Sequence, residues 1–295
     1  MKNLFVTGVT GAQGSGIAKV LKKDGVSISS VSPNNADTQH ELGTIYLGNL
    51  EDLASLKVAM KGCEAIVLTL PLLFDAELIK KMTSNVITAA QFHNINKIIF
   101  NAGIALGEHK TGYPAIDVKH EAFEILSKSG LEVITLMPTI YLENLTSPFL
   151  LPVIQEHAII PYPIAGDFKF SWLSYENLGR YVVAALSSKG LGGEKILVTN
   201  REELTGQDLA EIISLASGKK LAFVPTLPSD FENNLKPVLG DYVAKETSNL
   251  YRGIDTNRAN FFNYSHLEFS IKGTLPFLTN HLRLSAFQNT FLKNI

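Results

Sequence analysis

The chain has 295 residues, 45 % of them apolar and 18 % charged, with a formal net charge of −2. That balance excludes a disordered polypeptide and gives no electrostatic footprint for nucleic acid. Cys63 is the single cysteine, so no intrachain disulfide exists, and no apolar run reaches the roughly 18 residues that span a bilayer.

Lys2 and Asn3 lead straight into an apolar strand rather than a secretory pattern, so a cytoplasmic protein without a membrane partner is expected. That strand, Leu4–Thr7, runs into Gly8, Gly11 and Gly14 at the spacing G-x-x-G-x-x-G, and an amphipathic helix follows over Gly14–Lys23. Glycine lets the turn take positive φ and lets the backbone approach a pyrophosphate closely. The helix start adds free N–H groups and a partial positive charge. Position between strand and helix is what gives a bare glycine pattern its meaning. With Thr10, Ala12 and Gln13 in the same loop, the segment reads as a dinucleotide site, for NADP or NAD.

The second strand, Val26–Val31, ends on Ser32, Pro33, Asn34 and Asn35. A carboxylate there would bind a ribose 2′-OH, and an arginine would hold a 2′-phosphate. Neither is present, Ser32 and Asn34 suit both groups, and the choice stays open. Asp37 falls several residues too late and reads as a solvated loop charge. Further strands are expected over Thr44–Leu47, Ala65–Leu70, Lys97–Asn101, Glu132–Met137 and Lys195–Val198, with helices over Leu53–Met60, Ala76–His93, Asp117–Ser127 and Tyr175–Ser187. Continuous apolar runs belong to parallel strands covered on both faces. The alternation therefore predicts an α/β fold with a doubly wound parallel Rossmann sheet. Asn49 or Glu51 is expected to open the helix at Leu53, Thr205 with Asp208 spells a capping box, and Gly218 and Gly130 close helices.

The pattern changes after Pro138. Prolines 148, 152, 161 and 163, then 225, 228 and 237, predict loops and short helices of a smaller, discontinuous lobe. Residues 1–145 with 172–200 form the expected nucleotide domain, and residues 146–171 with 201–295 the substrate lobe. Its aromatics, Phe149, Tyr162, Phe168, Phe170, Trp172, Phe231, Tyr242 and Tyr251, suggest as a group an apolar or aromatic small-molecule substrate. His40, His93, His109, His157, His266 and His281 do not fall at metal-ligand spacing, and there is no G-x-S-x-G elbow, so neither a metal site nor acyl transfer is expected. Cys63 reads as a small buried residue and His120 as a surface histidine.

The segments VTGVTGAQGSG, LGNLEDLASLKVAMKGCEAIVL and KHEAFEILSKSGLEVITLMPTIYLENL together resemble the NmrA-like family of atypical short-chain dehydrogenase/reductases. The resemblance implies a Rossmann fold with a small C-terminal substrate lobe and, usually, NADP. It places Gly8, Gly11 and Gly14 along the pyrophosphate, and Asn49 and Leu50 beside adenine. Thr69, Leu70 and Pro71 border the nicotinamide-side ribose, and Asn101 and Ala102 end the fifth strand at the catalytic edge. Lys119 matches a lysine near the nicotinamide ribose, Pro138, Thr139 and Ile140 lie by the carboxamide, and Asn144 matches a frequent asparagine after the sixth strand.

Ordinary reductases of the superfamily use Ser, Tyr and Lys, with Tyr four residues before Lys. Here that position is Ala115 and the serine position is Asn101. Tyr113 and Lys119 remain the candidate catalytic residues, with Lys119 either orienting the ribose or acting as an acid/base of lowered pKa. Two functions compete. One is an NAD(P)H-dependent reductase of a small carbonyl, quinone or enone; the other is a non-catalytic dinucleotide sensor acting through a regulatory protein partner. An epimerase or dehydratase is disfavoured, because those relatives keep the Tyr-x-x-x-Lys pair.

Overall fold

Leu4 and Val6 face one way along the first strand and Phe5 the other, and all three are fully buried. A strand apolar on both sides needs cover on both faces, and the computed structural model supplies it over the residues it describes, 1–34, 40–200 and 203–256. Asp37, His266 and His281 lie outside the described residues.

The first half is a run of strand–helix units: β1 (Asn3–Val6), α1 (Ala12–Lys23), β2 (Ser27–Ser32), β3 (Thr44–Leu47), α2 (Leu53–Ala59), β4 (Ala65–Thr69), α3 (Ala76–Phe92), β5 (Lys97–Asn101), α4 (Pro114–Ser127) and β6 (Glu132–Pro138). The chain then crosses into the smaller lobe through β7 (Ile140–Tyr141), a 3-10 turn over Leu142–Thr146, α5 (Leu151–His157), β8 (Ile159–Tyr162) and β9 (Phe170–Leu173). It returns through α6 (Tyr175–Ser187) and β10 (Lys195–Val198). It ends, among the described residues, with β11 (Glu203–Leu204), α7 (Gly206–Ser217), β12 (Ala222–Pro225), α8 (Pro228–Leu239) and α9 (Asp241–Thr256).

Seven parallel strands form the main sheet in the order β10-β6-β5-β4-β1-β2-β3. Phe5, Ile66, Leu68, Ile98 and Phe100 pack with α2, α3 and α4 on one face; Leu4, Val6, Val67, Ile99 and Ile134 pack with α1 and α6 on the other. The chain leaves β1 in opposite directions toward β2 and β4, so a crevice opens between the carboxyl ends of β1 and β4. Open α/β sheets bind ligands at such a switch point.

The lobe has its own core, with Leu142, Tyr162, Phe170, Trp172, Leu209, Phe231 and Tyr251 in it. Tyr141 belongs to the sheet's core and Leu142 to the lobe's; Trp172 belongs to the lobe's and Leu173 to the sheet's. Two small sheets, β11-β9-β7 and β12-β8, frame this core. The expected capping box of Thr205 and Asp208 opens α7, and Gly218 ends it at φ 70°. The opener of α2 is neither Asn49 nor Glu51 but Asp52, whose side chain accepts from the Ala54 N–H; Asn49 Oδ1 instead accepts from the N–H groups of Glu51 and Asp52 in the turn before it.

Candidate functional site

Gly8 leaves β1 at φ 68°, where an L side chain is strained, and its carbonyl accepts from the Gly11 N–H at 2.8 Å. Gly14 lies so close under this turn that a Cβ would stand 2.1 Å from the Gly8 oxygen. A Cβ on Gly16 would stand 2.4 Å from the Cβ of Tyr175, so glycine also lets α6 cross α1 with Tyr175 brought over the loop.

The start of α1 carries no side-chain cap. Asp52, Asp75, Ser174 and Thr205 cap α2, α3, α6 and α7 with their side chains. The N-cap of α1, Gly11, offers no side chain, and its first turn carries no acid. Orphan N–H groups at a helix start suit an anion, and these face a cleft of about 680 Å³. Gly8, Thr10, Gly11, Ala12, Gln13, Gly14, Ser32, Asn49, Leu50, Thr69, Leu70 and Pro71, all expected at the site, line it, as do Glu51, Leu72, Met82 and Tyr175, which were not expected.

At the carboxyl edge the polar groups interlock. Thr7 Oγ1 donates to the Thr69 carbonyl and accepts from its N–H, both at 2.7 Å, pinning β1 to β4. Asn101 Nδ2 donates to Gln13 Oε1 at 2.8 Å and to Thr69 Oγ1 at 3.3 Å, while its Oδ1 accepts from the Gly103 N–H. The Tyr141 hydroxyl lies 3.3 Å from Gln13 Oε1 and 3.4 Å from Asn101 Oδ1, one proton shared between two acceptors. Asn101, at the position where ordinary reductases have a catalytic serine, therefore holds Gln13 in place. Neither Asn101 nor Ala102 lines this cleft, and Ala102 is buried behind the strand end.

A second cavity of about 360 Å³ opens between sheet edge and lobe. Pro138, Thr139, Ile140 and Asn144, expected beside the cofactor, line this cavity rather than the cleft over the glycine loop, together with Gly103, Ile104, Ala105 and Tyr141. Of the lobe aromatics, Phe149, Tyr162, Phe231 and Tyr251 reach it. Phe170 and Trp172 are buried in the lobe core with Phe168 packed against it, and Tyr242 leans on Phe74 outside. Asn144 Nδ2 donates to the Tyr162 hydroxyl at 3.0 Å, and the hydroxyls of Tyr162 and Tyr251 are 2.7 Å apart. Gln13, Leu72 and Tyr175 line both cavities, so the two adjoin and share this wall.

Three titratable groups stand close to this junction. Lys119 is 8 % exposed and donates to the Pro71 carbonyl at 3.4 Å. Burial pushes its ammonium down to about 8. It touches the cleft through Pro71 rather than lining it. Glu143, in the 3-10 turn, accepts the Tyr175 N–H on Oε1 at 2.8 Å, while its Oε2 is buried without a partner. Burial lifts its carboxyl to about 7. The Tyr175 ring packs tilted against that of Tyr141, centroids 4.9 Å apart, and burial, then the Glu143 charge, hold its phenol protonated well above neutral pH.

The remaining expected residues lie elsewhere. Tyr113 is the N-cap of α4 and packs against the sheet core without lining either cavity. Asn34 sits exposed in the bend after β2, outside the cleft lining. His120 is not a surface histidine: it is 4 % exposed, and burial lowers its pKa. Cys63 is half-buried with its thiol pushed up to about 11 by burial, which leaves it unreactive. No group of three metal-ligating side chains occurs among the described residues, and none of their helices is long and apolar enough to cross a membrane.

The model of the NmrA-like family matches residues 1–267. The chain is 22 % identical over 228 residues to the NAD(P)H azoreductase of Xenophilus azovorans, covering 75 % of this chain and 76 % of that one. In structure it is similar to the triphenylmethane reductase of Citrobacter sp. complexed with NADP(H), at a TM-score of 0.75 and 19 % identity over 99 % of this chain and 100 % of that one. It is also similar to the NADPH-dependent quinone oxidoreductase of Escherichia coli complexed with NADPH, at a TM-score of 0.73 and 22 % identity over 98 % and 99 %. At these identities the structural likeness speaks for the fold.

Proposed function

The chain belongs to the NmrA-like family, and on that premise we propose that it is an NAD(P)H-dependent oxidoreductase acting on a small apolar carbonyl, quinone or enone. The observation that carries this reading is the shared wall: Gln13, Leu72 and Tyr175 line both the cleft over the glycine loop and the aromatic cavity of the lobe. A protein that only sensed a dinucleotide would need the cleft and not the second cavity.

The residues present fit a dinucleotide. The uncapped start of α1 and the side-chain-free surface at Gly8, Gly11 and Gly14 receive the pyrophosphate. Asn49 and Leu50 border the adenine end; Thr69, Leu70 and Pro71 border the ribose of the nicotinamide, with Lys119 steadying Pro71 from behind. When bound, the dinucleotide supplies a hydride to the substrate carbon. The chain's own part is to hold the substrate, exclude water and meet the negative charge that gathers on its oxygen. Tyr175 suits the last role, because its hydroxyl-bearing ring lines both cavities and burial keeps it protonated. Phe149, Phe231 and the Tyr162–Tyr251 pair give the apolar ring contacts.

Nicotinamide fluorescence on titration with each reduced dinucleotide, then absorbance decay with a panel of quinones and enones, tests the proposal. Turnover is expected, with kcat lowered roughly 10²-fold or more in Tyr175→Phe. Tight binding without turnover on any compound would instead favour the sensor working through a protein partner, the reading that the absent Ser and Tyr at positions 101 and 115 leave standing.

A further inference from the structure

We infer that this chain selects NADH over NADPH, an inference that rests on the dinucleotide reading above and adds to it the identity of the cofactor. The adenine ribose of a dinucleotide on this sheet lies at the end of β2, where a 2′-phosphate calls for an arginine or a lysine. Between Lys23 and Lys57 the sequence contains neither, and its charged residues there are Asp24, Asp37, Glu41, Glu51 and Asp52, all acidic. His40, in the same stretch, accepts the Leu42 N–H on its Nδ1.

The rest of the fold does not make good the deficit among the described residues. No Lys or Arg lines the cleft; its charged lining residue is the carboxylate Glu51. Lys81, on α3, directs its ammonium to Glu51 Oε2 at 3.3 Å. Lys22 lies with residues 25–28, at the amino end of β2 and so at the opposite edge of the sheet, and donates to the Glu41 carbonyl. The glycine loop from Thr7 to Gly14 has no basic residue either. What stands at the end of β2 is Ser32, buried in the cleft wall, and Pro33, which has no N–H to offer. A hydroxyl and a backbone carbonyl suit a ribose 2′-OH, which both donates and accepts. A 2′-phosphate carries about −1.5 to −2 charge at neutral pH and would meet no cation.

The experiment is a fluorescence titration of the full chain with NADH and with NADPH at one ionic strength. Each titration is then challenged by 5′-AMP and by adenosine 2′,5′-bisphosphate. NADH is expected to bind at least roughly tenfold more tightly, and 5′-AMP to displace it better than the bisphosphate, because a charged group that gives up part of its hydration without gaining a cationic partner loses about that much. Asn34→Arg is expected to shift the NADPH-to-NADH affinity ratio toward NADPH. NADPH binding as tightly as NADH or more so, with the bisphosphate the better competitor, overturns this inference and leaves the dinucleotide reading intact. Failure to bind either dinucleotide overturns the dinucleotide reading and this inference with it.

Discussion

Lys119 shows how one burial decides between two readings of the same residue. In sequence it sits in the helical stretch DVKHEAFEIL, where a solvated lysine is ordinary. In the fold it is nearly enclosed, bonds a carbonyl rather than a carboxylate, and has its pKa lowered to about 8 by burial alone. The sign of its contribution follows. The unfolded chain holds this proton up to the usual lysine range, and the folded chain loses it from about pH 8. Stability therefore rises with pH between those limits, and the full penalty of a buried ammonium is present below pH 8. Lys119→Met is accordingly expected to stabilise the fold at pH 7 by about 1–3 kcal/mol, an advantage that fades toward pH 10.5. The same variant should turn over more slowly, because Pro71 loses the group behind it. Urea midpoints at pH 7 and pH 10, set beside kcat, check both halves. A variant less stable than the parent at pH 7 would show that the ammonium is satisfied where it lies.

Between elements, the contact between the 3-10 turn and α6 matters most for the site. Glu143 accepts the first N–H of α6, the Tyr175 N–H, and so fixes the tyrosine common to both cavities. A helix start favours a carboxylate, yet burial wins and lifts its pKa to about 7. The folded chain then holds a proton that the unfolded chain releases near pH 4.5, so this contribution to stability is complete below 4.5 and lost as pH climbs through 7. Glu143→Gln keeps an acceptor for the Tyr175 N–H and removes the charge. Its thermal midpoint should exceed the parent's at pH 8 and match it at pH 4.5, a difference of about 1–3 kcal/mol. A Gln variant that parallels the parent across the range would sink the assignment.

Why the parallel sheet was readable and this contact was not is a matter of range. The strands Lys97–Asn101 and Lys195–Val198 stand where their apolar runs put them, because a strand covered on both faces writes its burial into consecutive residues. The glycine loop was readable because Gly8 takes a left-handed φ that strains most side chains and Gly14 has no room for a Cβ. The lobe hid its strands. β8 and β12 are four residues each, and each contains a proline, with Pro161 paired to Val224 and Pro225 to Tyr162. Proline is tolerated in such two-stranded edges and is read in sequence as a loop. Tyr175 and Glu143 carried no local signal, since one looks like a helix start and the other like a turn acid. Their significance lies in the close approach that Gly16 permits between α1 and α6.

For the molecule as a whole, the site exists because two cores meet at one sheet edge. The reversal of strand order at β1 opens the cleft, and the chain's exit from the sheet after β6 and its return at α6 put the lobe cavity beside it. Gln13, Leu72 and Tyr175 belong to the walls of both, and Gln13 is held by Asn101 and Tyr141 from the sheet side. Ligands in the two cavities must therefore share these side chains, and ordering them for the first ligand lowers what the second has to order. Oxidised dinucleotide is expected to tighten binding of a quinone by about fivefold or more, a coupling of roughly 1 kcal/mol. Thermodynamic reciprocity then requires the quinone to tighten the dinucleotide by the same factor. Asn101→Ala, which frees Gln13 without lining either cavity, leaves more for the first ligand to order and should raise that factor in both directions together. Calorimetric titration of each ligand with and without the other measures it. A factor of one in both directions would mean that the cavities, though they share a wall, act as separate sites.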